Sequence, residues 1–166
     1  MTKLLIWNAD GLQRKLELLT NFINIHSPDA VLLQETQMTG LPLHIPGFTT
    51  WRQDRLGYHA GGGTAVLVRA DIPQQLLPVQ IPGLEGTFVE CRPSPAARPW
   101  IIASLYSKTN KLSSESLKRL SKFQGTLLAA GDLNARHKTA RSKYNNNNRK
   151  SSDIDRQLWP VPSMYS

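Results

Sequence analysis

The stretch that most limits what this chain can become is Thr126-Leu127-Leu128-Ala129-Ala130, followed at once by Gly131-Asp132-Leu133-Asn134-Ala135-Arg136-His137. The first five residues have the length and composition of a buried strand. The polar cluster is therefore delivered where a core strand ends, a place that holds side chains rigidly. Gly131 lets the backbone turn there without a Cβ clash. Asp132 and Asn134, two positions apart, project to one side if the strand continues, because extended chain alternates faces. A carboxylate beside a carboxamide can orient and deprotonate a water, and Arg136 and His137 add positive charge just beyond. Read alone, the same residues equally describe an Asp/Asn turn.

Upstream, Lys3 to Trp7 reads as a first strand and Ala30 to Gln34 as a buried one. Between them Leu12, Leu16, Leu19 and Ile23 recur at helical spacing, which predicts an amphipathic helix from Gly11 to Ile25. It stops before Ser27-Pro28, since the residue before proline disfavours helix. This strand–helix–strand unit predicts neighbouring parallel strands joined by a right-handed crossover. Met38 to Tyr58 is proline- and glycine-containing loop with short extended pieces. Gly61-Gly62-Gly63 precedes a strong strand, Thr64 to Arg69. No Lys-Ser/Thr follows the glycines as a P-loop requires, so they read as a structural lead-in to that strand. Thr87–Cys91 and Trp100–Tyr106 are two more strands, and Leu117, Leu120 and Phe123 mark a short helix with Ser113 or Ser114 as N-cap. Residues 1–142 are expected to form one domain. Residues 143–166, with the Asn145-Asn146-Asn147-Asn148 tract and only Leu158-Trp159 as an apolar anchor, read as an irregular tail.

A length of 166 residues suits a single domain. No apolar run reaches membrane-spanning length, and Met1-Thr2-Lys3 leads straight into a strand rather than a secretory signal. The expectation is a soluble, intracellular chain with no membrane partner. A lone cysteine, Cys91, excludes an internal disulfide, and its strand neighbours Phe88 and Val89 predict an inert thiol with no disulfide-linked partner. The formal charge of +8 comes from 20 Lys and Arg against 12 Asp and Glu, which suits a polyanionic partner. Lys108, Lys111, Lys118, Arg119 and Lys122 precede the central motif. Arg136, Lys138, Arg141, Lys143, Arg149 and Lys150 follow it without an intervening acid. Positive charge beside the polar cluster is what a DNA backbone requires.

Three other apolar runs also end in polar residues: Ile6-Trp7-Asn8-Ala9-Asp10-Gly11-Leu12, Val31-Leu32-Leu33-Gln34-Glu35-Thr36, and Ala103-Ser104-Leu105-Tyr106. With Gly131–Asn134 they resemble the endonuclease/exonuclease/phosphatase family in order and approximate spacing. WNADGL and LLQET are most similar to the exonuclease III-type apurinic endonucleases. GDLNARH is most similar to the endonuclease domain of non-LTR retrotransposons of the jockey kind, a part of a reverse-transcriptase polyprotein. The resemblance covers roughly Lys3 to His137, and four ordered motifs are far more specific than any one alone.

The resemblance implies a four-layer α/β sandwich, with two mixed β-sheets face to face and helices outside. It implies metal-dependent hydrolysis of phosphodiester bonds in DNA, nicking to prime reverse transcription, and hence a location in the nucleus, with the cytoplasm as the alternative. Magnesium suits that chemistry because it keeps most of its waters and needs only one or two carboxylates; manganese is an alternative. By the same resemblance Glu35 and Asp10 hold the metal, and Asn8 supports metal or phosphate. Asp132 and Asn134 orient the attacking water and Tyr106 contacts the phosphate. Arg136, His137, Lys138 and Arg141 are expected to contact the DNA backbone. Read without the family, Glu35 is a solvated strand end, Asn8-Ala9-Asp10-Gly11 a turn, and Tyr106 a tyrosine closing a strand. The departure is at the C-terminus. The family's closing Ser-Asp-His is absent, and none of His26, His44, His59 and His137 has that setting. The chain thus resembles a C-terminally truncated copy with an incomplete second sheet. Loss of that histidine would lower activity by orders of magnitude. The rival reading is a catalytically dead relic that binds nucleic acid through its basic loops, and a phosphoinositide or sphingolipid substrate is a third.

Overall fold

In the computed structural model, which describes residues 2–55, 61–92, 94, 96, 98–108, 113–123, 125–134 and 158–161, each apolar run becomes a strand. Strand β1 (Thr2–Asn8) and β2 (Ala30–Gln34) lie parallel, with Leu4 opposite Ala30 and Asn8 opposite Gln34. Helix α1 (Leu16–His26) connects them. It starts later than the leucine spacing predicts. The Gly11 and Leu12 amides donate to the Glu35 and Thr36 carbonyls at 2.9 Å each, which extends the β1–β2 contact and withholds those residues from the helix. A short 3-10 turn, Gln13–Lys15, intervenes. The helix ends where proline demands, with Ser27 left-handed and its amide on the Ile23 carbonyl at 2.8 Å.

Sheet 1 has the order β3-β4-β2-β1-β9, where β3 is Phe48–Gln53, β4 is Thr64–Arg69 and β9 is Leu158–Val161. Sheet 2 has the order β5-β6-β7-β8, with β5 at Gln74–Leu77, β6 at Glu85–Cys91, β7 at Trp100–Tyr106 and β8 at Thr126–Asp132. Both sheets are mixed, since β1–β2 and β7–β8 are parallel and the other pairs antiparallel. Two strands, β5 and β9, are additions to the sequence reading. Strand β5 was hidden because Gln74-Gln75 lacks an apolar signal, as an edge strand can. Strand β9 pairs antiparallel with β1, Leu5 opposite Leu158, where an irregular tail was expected. The free edge of β1 offers backbone groups that need partners, and a short strand satisfies them. The rest of residues 143–166 lies outside the described residues.

Strand alternation sorts the side chains into three apolar layers. Leu5, Trp7, Val31, Leu33, Ala65 and Leu67 face out from sheet 1 and pack with Leu19, Phe22 and Ile23 of α1. Leu4, Leu32, Val66, Val68, Val89, Cys91 and Ile102 fill the space between the sheets, against Ile6, Leu128 and Ala130. Phe88, Ile101, Ala103 and Leu105 face out from sheet 2, where Leu120 and Phe123 cover them. Those two covering residues belong to helix α2 (Ser114–Leu120) and the turn after it. Ser113 caps α2 by accepting from the Ser116 amide at 3.0 Å. Leu117, which the periodicity assigned to the covered face, is 52% exposed. The result is the expected four-layer sandwich, helix–sheet–sheet–helix. Burial in the middle layer pushes the Cys91 thiol up to about 12, helped by the neighbouring Glu90 charge, so it stays protonated and inert.

Gly131 has a different role from the turn its sequence suggested. Strand β8 runs straight through it to Asp132, and Gly131 lies opposite Leu105 with φ of +152°. A Cβ there would overlap the Leu105 carbonyl oxygen and lie 2.8 Å from its carbon. Only glycine lets β7 and β8 approach this closely. Gly131→Ala is expected to cost about 3 kcal/mol or more in urea unfolding. Gly83→Ala, where open space surrounds the new methyl, should cost only the left-handed penalty of about 1–2 kcal/mol. Equal losses at the two positions would refute the close-approach account.

Candidate active site

The two parallel pairs end at the same rim of the sandwich. Because inward and outward side chains alternate, the inner face of β1 reads Leu4, Ile6, Asn8, with the polar residue last. Strand β8 does the same with Leu128, Ala130 and Asp132, and β7 with Ile102, Ser104 and Tyr106. In sheet 2 the register aligns Glu85, Tyr106 and Asp132 in one row across β6, β7 and β8. Just beneath the rim the layer between the sheets is already polar. Gln34 donates to Ser104 Oγ at 2.8 Å, Ser104 donates to the Leu33 carbonyl at 2.7 Å, and the Thr64 and Thr87 hydroxyls meet at 2.8 Å. These buried bridges tie sheet to sheet and fix their spacing below the site.

At the rim, the Asn8 carboxamide nitrogen donates to Glu35 Oε1 at 2.7 Å and to Asp132 Oδ2 at 2.9 Å. Both of its N–H groups are thus spent on carboxylates, one from each sheet. Glu35 follows the last residue of β2 in a left-handed conformation, φ +50°. Its flanking backbone is held on both sides. Gly11 donates to the Glu35 carbonyl on one side, while Thr36 and Gln37 donate to the Gly63 and Gly62 carbonyls at 3.2 and 2.9 Å on the other. Tyr106 is buried against Glu35, Asp132 and Arg55. Burial and the facing Glu35 charge raise the phenol pKa, while the Arg55 cation opposes the rise.

Asn134 reaches the site by a route the alternation argument did not foresee. Strand β8 ends at Asp132, and Asn134 turns back with φ +47°. Its amide donates to Asp132 Oδ1 at 2.9 Å and its side chain to the Ser107 carbonyl at 2.7 Å. Strand and turn readings both hold, one for each half of the motif. Asp10 is left to one side: its amide donates to Asn8 Oδ1, and its exposed carboxylate accepts from Gln37 at 3.2 Å. Among the described residues no group of three His, Cys, Asp or Glu side chains is arranged to hold a metal. The oxygen donors of Glu35 and Asp132 nonetheless share one partner atom, a set that suits a hard cation with most of its waters retained. Arg136, His137, Lys138 and Arg141 lie outside the described residues. His26 packs its ring at a tilt against Phe22 and its carbonyl accepts from Lys3, at the end of sheet 1 away from Asn8.

Arg55 and Glu85 are the site residues that the sequence did not reveal. Arg55 Nε donates to Glu85 Oε1 at 2.6 Å, its guanidinium lies 5.8 Å from the Tyr106 ring centroid, and Glu85 Oε2 accepts from the Gly63 amide at 2.7 Å. No local pattern marks either residue. Only their nearness to the triglycine and to β6 carried a signal.

A raised phenol pKa means the folded chain holds the Tyr106 proton to higher pH than the unfolded chain. The associated stability is therefore complete below the ordinary tyrosine value of 10.0 and is lost as pH rises through the folded value. Titration of the tyrosine rings by NMR, with Tyr106→Phe for assignment, should show Tyr106 ionising late. Glu35→Gln, which removes the facing charge, should bring its ionisation to lower pH. No change in Glu35→Gln would separate the two groups.

The model of the Endonuclease/Exonuclease/phosphatase family matches residues 5–164. The chain is 26% identical over 141 residues to the RNA-directed DNA polymerase from mobile element jockey of Drosophila funebris, covering 81% of this chain and 15% of that protein. It therefore spans about 15% of the length of that relative. Its fold superposes on the endonuclease domain of TRAS1, a telomere-specific non-LTR retrotransposon, with a TM-score of 0.61 at 17% identity, over 81% of this chain and 61% of that one. The AP endonuclease LMAP from Leishmania major gives 0.59 at 17% identity, over 79% and 54%. The sandwich fold is thus shared with these two endonucleases, and this chain belongs to the Endonuclease/Exonuclease/phosphatase family.

Proposed function

We propose that this chain is the endonuclease portion of a non-LTR retrotransposon polyprotein and nicks DNA with the aid of magnesium, or manganese in its place. One observation carries the reading: Asn8, Glu35, Tyr106 and Asp132, from four separate strand ends, meet at a single rim. Glu35 would hold the cation with Asp132 close by and Asp10 on the neighbouring loop. When bound, the cation supplies charge for the phosphate and the leaving oxygen. Asp132 is held by Asn8 through one oxygen and by the Asn134 amide through the other, so its orientation toward an attacking water is fixed before substrate arrives. Tyr106, kept protonated, donates rather than repels beside a phosphate oxygen. The basic residues Arg136, His137, Lys138 and Arg141 would neutralise the DNA backbone next to this rim.

A second reading has its own support. No Ser-Asp-His occurs in the sequence, and among the described residues no histidine is hydrogen-bonded to Asp132 or Glu35. A chain that binds DNA through its charge without cutting it fits that observation.

Supercoiled plasmid in magnesium separates the two. The first reading expects nicking that chelation abolishes and that Glu35→Ala and Asp132→Asn each lower by two or more orders of magnitude, with binding retained. Wild type and both variants leaving plasmid intact while binding it equally would leave only the binder. In either case DNA affinity should fall steeply from 50 to 200 mM salt, roughly tenfold or more, as counterion release requires. A flat salt dependence would remove DNA as the partner.

A further inference from the structure

The Arg55–Glu85 pair stands beside the site without belonging to the motifs that mark it, and it touches both halves. Glu85 is opposite Tyr106 in the β6–β7 ladder, so the two side chains leave the sheet on one face. Arg55 reaches over from the end of β3 in the other sheet, ion-paired to Glu85 and stacked 5.8 Å from the Tyr106 ring centroid. The second Glu85 oxygen takes the Gly63 amide at 2.7 Å. Gly62 and Gly63 then offer their carbonyls to Gln37 and Thr36, the two residues that follow Glu35. A Cβ on Gly62 would overlap the guanidinium and lie 2.7 Å from Arg55 Nε, so the triglycine lies directly against the arginine. One ion pair is therefore one contact from Tyr106 and two hydrogen bonds from Thr36, the residue after Glu35.

We propose that Arg55, held by Glu85, is a positioning residue that sets Tyr106 from above its ring and Glu35 through the Gly62–Gly63 backbone. It rests on the reading of Glu35 and Tyr106 as site residues. The planar guanidinium is suited to this because it can bond a carboxylate through its edge while presenting its face to an aromatic ring. The pair is largely shielded, with side chains 22% and 27% exposed, so loss of one partner leaves the other charge poorly solvated and free to disturb the rim.

The test uses the full chain as Arg55→Met and, as a second variant with less steric change, Glu85→Gln. Two readings are taken: the NMR ring-proton shifts of Tyr106, assigned with Tyr106→Phe, and amide hydrogen exchange at Thr36 and Gln37 with core Leu33 as reference. In Arg55→Met the Tyr106 ring signals should move from their wild-type positions, because the cation over the ring face is gone. Thr36 and Gln37 should lose tenfold or more of their protection relative to Leu33 in either variant. A merely structural loss would lower all three amides together and leave the Tyr106 ring signals unmoved, and that result overturns the proposal. Should Arg55→Met fail to fold, the exchange pattern in Glu85→Gln decides alone. If wild type nicks DNA, kcat should fall by tenfold to a hundredfold in Arg55→Met with KM little changed, and rescue by Arg55→Lys should be partial. If wild type does not nick, the endonuclease reading fails while the ring shifts and the exchange still judge this one.

Discussion

The Asn8 carboxamide holds two carboxylates that would otherwise repel one another, Glu35 from its own sheet and Asp132 from the facing one. An amide is suited to this position because it carries two N–H donors and no charge. A lysine would neutralise one acid and occupy the space a cation needs, and an apolar residue would leave Asp132 Oδ2 and Glu35 Oε1 without the donor they share. The bond to Asp132 also closes the rim across the two sheets. Beneath it, Gln34 with Ser104 and Thr64 with Thr87 repeat the same device, with neutral groups where water is excluded. The sandwich is thus laminated by apolar packing over most of its depth and by directional hydrogen bonds at one end.

That end is also where the backbone is least relaxed. Among the described residues five non-glycine positions have positive φ, and four of them, Asp10, Glu35, Gln37 and Asn134, surround the rim. Each costs roughly 1–2 kcal/mol against an extended alternative. The cost is sustained because neighbouring loops saturate the local hydrogen bonds: residues 9–12 and 62–63 accept or donate on both sides of residues 34–37. Lys15 adds to the same loop by donating to the Asp10 carbonyl at 3.1 Å and to that of Ala9. Strain of this kind presents side chains at angles that regular strands cannot reach.

Much of this is legible in the amino-acid sequence. The apolar runs gave β2, β4 and β7 with their observed bounds, and the proline after Ser27 gave the end of α1. What stayed illegible has physical causes. An edge strand such as β5 needs only one covered face and carries a weak apolar signal. The start of α1 was displaced because Gly11 and Leu12 spend their amides on a neighbouring loop, a tertiary bond without local trace. Gly131 was recognisable as necessary, but its reason, the Leu105 carbonyl on the adjacent strand, was not.

Alternation and chain order alone place Asn8, Tyr106 and Asp132 at strand ends on a single kind of face, because a period of two is a property of extended chain. That those ends lie at the same rim is a tertiary matter. It follows from which strands pair parallel and from the register of two sheets that bring Asn8 to Asp132 across 124 positions of chain. Arg55 and Glu85 make the point most plainly. Thirty residues separate them in the chain, no motif contains both, and only the stacking of sheet on sheet brings that cation over the Tyr106 ring.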